Sequence, residues 1–214
     1  MSQPYARLFV VSAPSGAGKT SLVKALCERL PGLKVSTSHT TRPRRPTEED
    51  GREYFFVSNA EFDRLVAEDA FLEHARVFDN QYGTSKAQLK DKLAAGHDVM
   101  LEIDWQGARQ VRQALPGCRT IFILPPSREA LRQRLTSRQT DSPAVIERRL
   151  ADAVSDMSHY AEFDYVVVNE DFERAVTELA SILQGQGGGE GEGLSAQRPG
   201  LTPVLANLLE FSTH

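Results

Sequence analysis

The segment Ala13-Pro14-Ser15-Gly16-Ala17-Gly18-Lys19-Thr20 joins an apolar stretch, Leu8 to Val11, to leucines at helical spacing, Leu22, Leu26 and Leu30. Few folds accommodate a strand that turns through a Gly-rich loop directly into a helix. Such a turn collects the unsatisfied N–H groups of the helix start and the positive end of its dipole, which together bind anions. Gly16 and Gly18 let main-chain N–H groups point inward in conformations that a Cβ would obstruct. Lys19 is then placed to reach the terminal phosphates of a nucleotide, and the Thr20 hydroxyl suits a Mg²⁺ ligand. The first position of the pattern G-x-x-x-x-G-K-[ST] is Ala13 here, which keeps the small size but not the full backbone freedom.

Further apolar runs at Arg7 to Ser12, His97 to Ile103, Arg119 to Leu124 and Asp164 to Val168 predict buried strands. Between them the spacing predicts helices around Leu89 and Leu93, Leu131 and Leu135, Val145 to Val154, and Val176 to Ile182. Strands alternating with helices imply an α/β fold with a parallel sheet. With 214 residues, 40% of them hydrophobic, the chain can bury a sizeable core as one domain with insertions. The formal charge of -4 argues against a general nucleic-acid binder, which would carry a net basic surface. Cys27 and Cys118 have no paired spacing, and no apolar run reaches the roughly 18 residues of a membrane span. The five histidines lack metal-ligand spacing. These features predict a cytoplasmic chain without membrane or nucleic-acid partners.

Two segments interrupt the alternation, and both fall where open α/β sheets bind ligands. The first, about 35–84, reads as a small β-rich insertion holding Tyr54-Phe55-Phe56-Val57, a short helix near Ala60 to Ala67, and Phe71 to Val77. The second, about 127–149, is dense in arginine and reads as a helical lid. The main domain is thus expected over 1–184. The Gln/Gly/Glu composition predicts a flexible linker over 185–200, followed by a tail over 201–214. Leucines at Leu205, Leu208 and Leu209 make Leu201 to Phe211 a candidate helix that docks on the body or on a second copy, leaving a homo-oligomer open.

Val99-Met100-Leu101-Glu102-Ile103-Asp104 is an apolar run ending in a carboxylate, which places Asp104 to hold Mg²⁺ directly or through water and also to cap a helix at Trp105. Ser38-His39-Thr40-Thr41-Arg42-Pro43-Arg44-Arg45-Pro46 sets hydroxyls and three arginines in a Pro-stiffened loop, a constellation suited to a phosphate monoester.

With these segments the chain resembles the guanylate kinases, bacterial type, from about Leu8 to Ile182. Besides the phosphate loop and the Ser38 to Pro46 loop, the resemblance rests on Gly51-Arg52-Glu53-Tyr54-Phe55-Phe56-Val57, Phe71-Leu72-Glu73-His74-Ala75, Tyr82-Gly83-Thr84-Ser85, Ile103-Asp104-Trp105-Gln106-Gly107-Ala108 and Tyr165-Val166-Val167-Val168-Asn169. It implies a three-layer P-loop NTPase core with a parallel sheet, a β-rich GMP-binding insertion and a helical lid. It implies ATP and GMP as substrates, Mg²⁺ as cofactor, and ATP-dependent phosphorylation of GMP (and dGMP) in purine metabolism and GMP recycling. By the same resemblance Ala13 to Ser21 and Asn169 contact ATP, and Arg42, Arg45, Tyr54 and Tyr82 grip the GMP phosphate. Ser38, Glu73, Thr84 and Glu102 would read guanine, and Arg134, Arg138 and Arg149 would act with Lys19 and Arg42 on the phosphoryl group. The chain departs from the family at Glu102, where Asp is usual, so a structural carboxylate beside the magnesium site stays open there. A catalytically inactive interaction module and a kinase of another small metabolite are the rival readings. Gly18-Lys19-Thr20 argues against the first, and Glu73 and Thr84 with Tyr82 against the second.

Overall fold

The computed structural model describes residues 6–77, 79–137, 143–185 and 193–209. The elements, in chain order, are β1 Leu8–Ser12, α1 Lys19–Arg29, β2 Leu33–Val35, β3 His39–Thr40, β4 Phe55–Phe56, α2 Asn59–Ala67, β5 Phe71–Val77, β6 Asn80–Ser85, α3 Lys86–Ala94, β7 Asp98–Glu102, α4 Trp105–Ala114, β8 Arg119–Leu124, α5 Arg128–Thr136, α6 Pro143–Met157, a 3-10 turn Ser158–Glu162, β9 Tyr165–Val168, α7 Phe172–Gln184 and α8 Gly193–Leu209. They fall into two compact units, one of residues up to Val10 with Pro31–Cys118, the other of Val11–Leu30 with the chain from Arg119 onward.

In the first unit β2 and β7 run parallel, Leu33 opposite Asp98 and Val35 opposite Met100. The Val99 amide donates to the Arg7 carbonyl at the start of β1 at 2.9 Å. Arg7 Nη2 and Nε both donate to Asp98 Oδ2, at 2.6 and 3.2 Å, and fasten the same place. The β-rich insertion is a separate four-stranded sheet, in the order β4-β3-β6-β5. Its long hairpin, β5 and β6, is antiparallel with an irregularity between Phe71 and Glu73. Phe62 of α2 is fully buried beneath this sheet, its ring 4.7 Å from that of Phe71. Gly83 makes this packing possible, since a Cβ there would come within 3.1 Å of both rings.

In the second unit β8 and β9 run parallel, Ile121 opposite Tyr165 and Leu124 opposite Val168. Asp164 joins their lower ends by accepting from both the amide and the hydroxyl of Thr120, at 2.8 and 2.9 Å. Strand β1 spans the division, with Leu8–Val10 in the first unit and Val11–Ser12 in the second. The buried runs Val10-Val11, Val99-Met100-Leu101 and Ile121 to Leu124 have no polar alternation, as expected of strands covered on both faces.

All four predicted parallel strands are present, each within two residues of its expected bounds. Strand β2 was not anticipated, because three residues with only Leu33 buried carry no legible period. Strands β3 and β4, of two residues each, escaped for the same reason. The expected linker 185–200 is corrected at its second half: α8 begins at Gly193, so 193–200 is helical, while 186–192 lies outside the described residues. The run Gly187-Gly188-Gly189 dominated the composition there, and Leu194-Ser195-Ala196-Gln197-Arg198 after it contains ordinary helix formers. Among the described residues no helix is long and apolar enough to cross a membrane.

Phe62→Ala would empty the space beneath the four-stranded sheet and is expected to cost about 3–5 kcal/mol in chemical denaturation. A loss under about 1 kcal/mol would mean that the sheet does not depend on this ring.

Candidate active site

The phosphate loop belongs wholly to the second unit. Gly16 and Gly18 both adopt positive φ, +90° and +94°, the left-handed region that side-chain-bearing residues rarely enter. A Cβ on Gly18 would lie 2.5 Å from Asn169 Nδ2, so the glycine is required by space as well as by conformation. Helices α2, α3, α4, α5 and α7 each start on a Ser or Asp side chain that accepts an amide of the first turn. Helix α1 starts on Gly18 without a side-chain cap, so its first turn relies on other acceptors, as an anion site requires. Lys19 is its first residue, half-buried, and Thr20 and Ser21 are exposed.

The loop is shaped from outside by its own unit. Leu131 and Leu135 of α5 pack on Gly16 so closely that a Cβ there would come within 2.9 and 3.0 Å of them. From the same helix Arg134 donates to the Ala17 carbonyl at 3.4 Å and to the Asn169 carbonyl at 2.8 Å. Asn169, buried just after β9, donates from Nδ2 to the Ala17 carbonyl at 2.7 Å. Ala17 itself is fully buried. Asn169 is thus a brace for the loop, and Arg134 is held beside it. Arg149 lies half-buried on α6, and Arg138 lies outside the described residues. Glu147 pairs with Arg132 on the exposed side and leaves Arg134 to the loop.

The residues that the resemblance assigns to GMP lie in the first unit. Glu73 on β5 and Thr84 on β6 face each other across the hairpin, both buried, and the Thr84 hydroxyl donates to Glu73 Oε1 at 2.6 Å. Behind them α4 approaches at Gly107, where any Cβ would run into Glu73 Oε2. The Gly107 amide in turn donates to Asp104 Oδ1 at 2.8 Å, and Asp104 caps α4 as its N-terminal residue. The motif Asp104-Trp105-Gln106-Gly107 therefore seats a buried carboxylate and caps a helix in four residues. Ser38, buried, precedes β3 and its carbonyl accepts the Phe55 amide at 2.9 Å.

Arg42 forms the second cluster. Its guanidinium lies 5.3 Å from the ring centre of Tyr54 and 5.6 Å from that of Phe56, and the Tyr54 and Tyr82 rings are 5.9 Å apart. Burial first, then the charge of Glu102 and the neighbouring Tyr82, push the Tyr54 phenol up to about 12. It stays protonated, a hydrogen-bond donor, at any physiological pH. That influence sets Glu102, at the end of β7, within the electrostatic reach of Tyr54. Arg45 is largely exposed, and its guanidinium is 3.8 Å from Glu48.

Glu48 is the residue that sequence reasoning missed. Its two oxygens accept from Arg42 Nη2 at 2.8 Å and Nη1 at 3.0 Å, and Oε2 also accepts the Arg45 amide at 2.8 Å. Hydrogen bonding to Arg42 holds its carboxyl below the usual carboxylate range and raises Arg42 in turn. A carboxylate three residues after the second of two arginines was the available signal, but among Glu48, Glu49, Asp50 and Glu53 nothing in the sequence singles one out.

The Thr20 hydroxyl and the Asp104 carboxylate are each of the hard-oxygen type that suits Mg²⁺; they belong to different units. Among the described residues no cluster of three or more His, Cys, Asp or Glu is placed to cage a metal alone.

Glu48→Gln checks the pairing without ligands. A depressed carboxyl contributes stability above its unfolded value, about 4.3, and loses it as pH falls through the lower folded value. The parent chain is expected to lose melting temperature relative to Glu48→Gln as pH drops through that window, and parallel melting curves would refute the pair.

A family model described as Guanylate kinase matches residues 5–186. Guanylate kinase from Methylococcus capsulatus is 58% identical over 94% of this chain and 97% of its own. The Coxiella burnetii guanylate kinase is 52% identical over 96% of this chain and 98% of its own. The crystal structure of guanylate kinase from Anaplasma phagocytophilum superposes with a TM-score of 0.72 at 33% identity, covering 94% of both chains. On sequence and fold together, the chain belongs to the guanylate kinase family.

Proposed function

We propose that this chain is an ATP:GMP phosphotransferase that reversibly passes the γ-phosphoryl group of MgATP to GMP or dGMP, giving ADP and GDP. The buried Glu73–Thr84 pair carries the reading. Guanine offers N1–H and an exocyclic amine as donors and O6 as acceptor, which suit a carboxylate and a hydroxyl. Thr84 has one proton to give, so it turns from Glu73 to O6 as the Glu73 oxygens take the base donors. Adenine would leave these groups unpaired at roughly 1–3 kcal/mol each, so two or three mismatches amount to discrimination on the order of a thousandfold. Ser38 and Glu102 complete the base site in this reading.

Arg42, Arg45, Tyr54 and Tyr82 would hold the GMP phosphate. Glu48 occupies the Nη1/Nη2 end of the Arg42 fork. The Nε side of the planar guanidinium would then face the acceptor phosphate. The main-chain amides from Ala13 to Ser21 would cradle the ATP phosphates, with Lys19 reaching the γ-phosphoryl group and Arg134, Arg138 and Arg149 neutralising charge as it redistributes. Mg²⁺ with ATP would screen the polyphosphate, with the Thr20 hydroxyl and the Asp104 carboxylate as the oxygen donors proposed for it. The attacking GMP oxygen is already anionic, so no general base or covalent intermediate is required. The protein's task is to align two polyanions and exclude water. Two cysteines without the spacing of a disulfide framework and a chain charge of -4 support a cytoplasmic enzyme without nucleic-acid partners.

An ADP-release assay across GMP, AMP, CMP, UMP and dTMP tests the acceptor: GMP or dGMP is expected to turn over fastest, and faster turnover of another monophosphate would overturn the assignment. Lys19→Ala is expected to fold normally and to lose about 10²-fold or more in kcat. Near-normal turnover would remove Lys19 from the chemistry.

A further inference from the structure

We infer that the C-terminal helix α8 is a positioning element for the donor half, because it is tied to α5, the helix that carries Arg134. The inference rests on the ATP-binding role proposed for the second unit. Helix α8 packs against β9 and α6, with Leu201 and Leu208 buried. Its polar end reaches the start of α5. Asn207 Oδ1 accepts the Arg128 amide at 3.2 Å, and Arg128 Nε donates to the Leu208 carbonyl at 2.8 Å.

Each contact has a consequence for the phosphate loop. The Arg128 amide is one of the unsatisfied donors of the α5 start, which Ser127 caps only at Ala130. Asn207 satisfies it from another element and so fixes where α5 begins. The Leu208 carbonyl belongs to the last turn of α8, where carbonyls lack helical partners, and the Arg128 guanidinium supplies one. From Arg128 to Arg134 is six residues, about 9 Å of rigid helix. Along that length Leu131 and Leu135 meet Gly16, and Arg134 meets Ala17 and Asn169. Strand β9, which α8 covers, delivers Asn169 to the same loop. The tail helix therefore holds, from behind, two of the elements that brace the phosphate loop. Arg128 and Asn207 are positioning residues in this account, acting through α5.

Two substitutions in the full-length chain separate this role from direct contact with nucleotide. Asn207→Ala removes the acceptor of the Arg128 amide, and Arg128→Ala removes the donor to Leu208. Each is expected to raise KM for ATP about threefold to tenfold, the worth of one hydrogen bond, while KM for GMP stays within about twofold. Each is also expected to speed deuterium exchange of the amides in 201–209, a readout independent of activity. If only Arg128→Ala raised KM for ATP, Arg128 would act on the nucleotide itself and the tie would be refuted. Unchanged KM for ATP in both variants, or equal rises for ATP and GMP, would refute it as well. A parent chain that failed to phosphorylate GMP would overturn the proposed function, while the exchange measurement would still decide whether α8 is held by Arg128 and Asn207.

Discussion

A loop that binds phosphate through its own amides cannot be held by those amides, so something else must fix its shape. Here the restraint is the Ala17 carbonyl, which accepts from both Asn169 Nδ2 and Arg134 Nη1. Gly16 and Gly18 adopt the backbone conformations that such a loop needs, and the packing of Leu131 and Leu135 on Gly16 leaves no room for an alternative. Strand β9, helix α5 and through them α8 all lead to this one peptide group. The entropic cost of fixing Gly16 and Gly18 is offset by contacts from residues far away along the chain.

The acceptor unit solves a related problem by charge. The three arginines of one loop, Arg42, Arg44 and Arg45, repel one another, and a Pro-stiffened chain only partly restrains them. Glu48 supplies the missing anion, joined to the Arg42 side chain and the Arg45 main chain at once. Tyr54 and Phe56 beside Arg42 keep the guanidinium from collapsing into solvent. The pair is nearly buried, with 15% and 11% of the two side chains exposed, so its geometry is less open to screening than the surface pairs of Arg64 or Arg52.

Elements long enough to show a period were legible in the sequence. β8 was read to the residue, and α1 and α7 followed from their leucine and valine spacing. Strands of two or three residues were not, since their existence depends on pairing partners distant in the chain, as His39 pairs with both Phe55 and Gly83. In the site, residue identities came from motifs, but the working contacts did not. That Asn169 braces Ala17, that Glu48 spans two arginines, and that Gly107 backs Glu73 are all consequences of tertiary placement.

Gly107 has a consequence for how base discrimination can change over evolutionary time. Glu73, the carboxylate proposed to read the base, has its depth set by a residue that has no side chain. Any substitution at 107 must push Glu73 forward or push α4 back, while Asp104 is bound to that same backbone amide and moves with it. Drift in acceptor preference is therefore channelled into the residues that face the base, because the helix behind them has no neutral step to take. A scan of tolerated substitutions would find position 107 as constrained as Glu73, with packing as the cause.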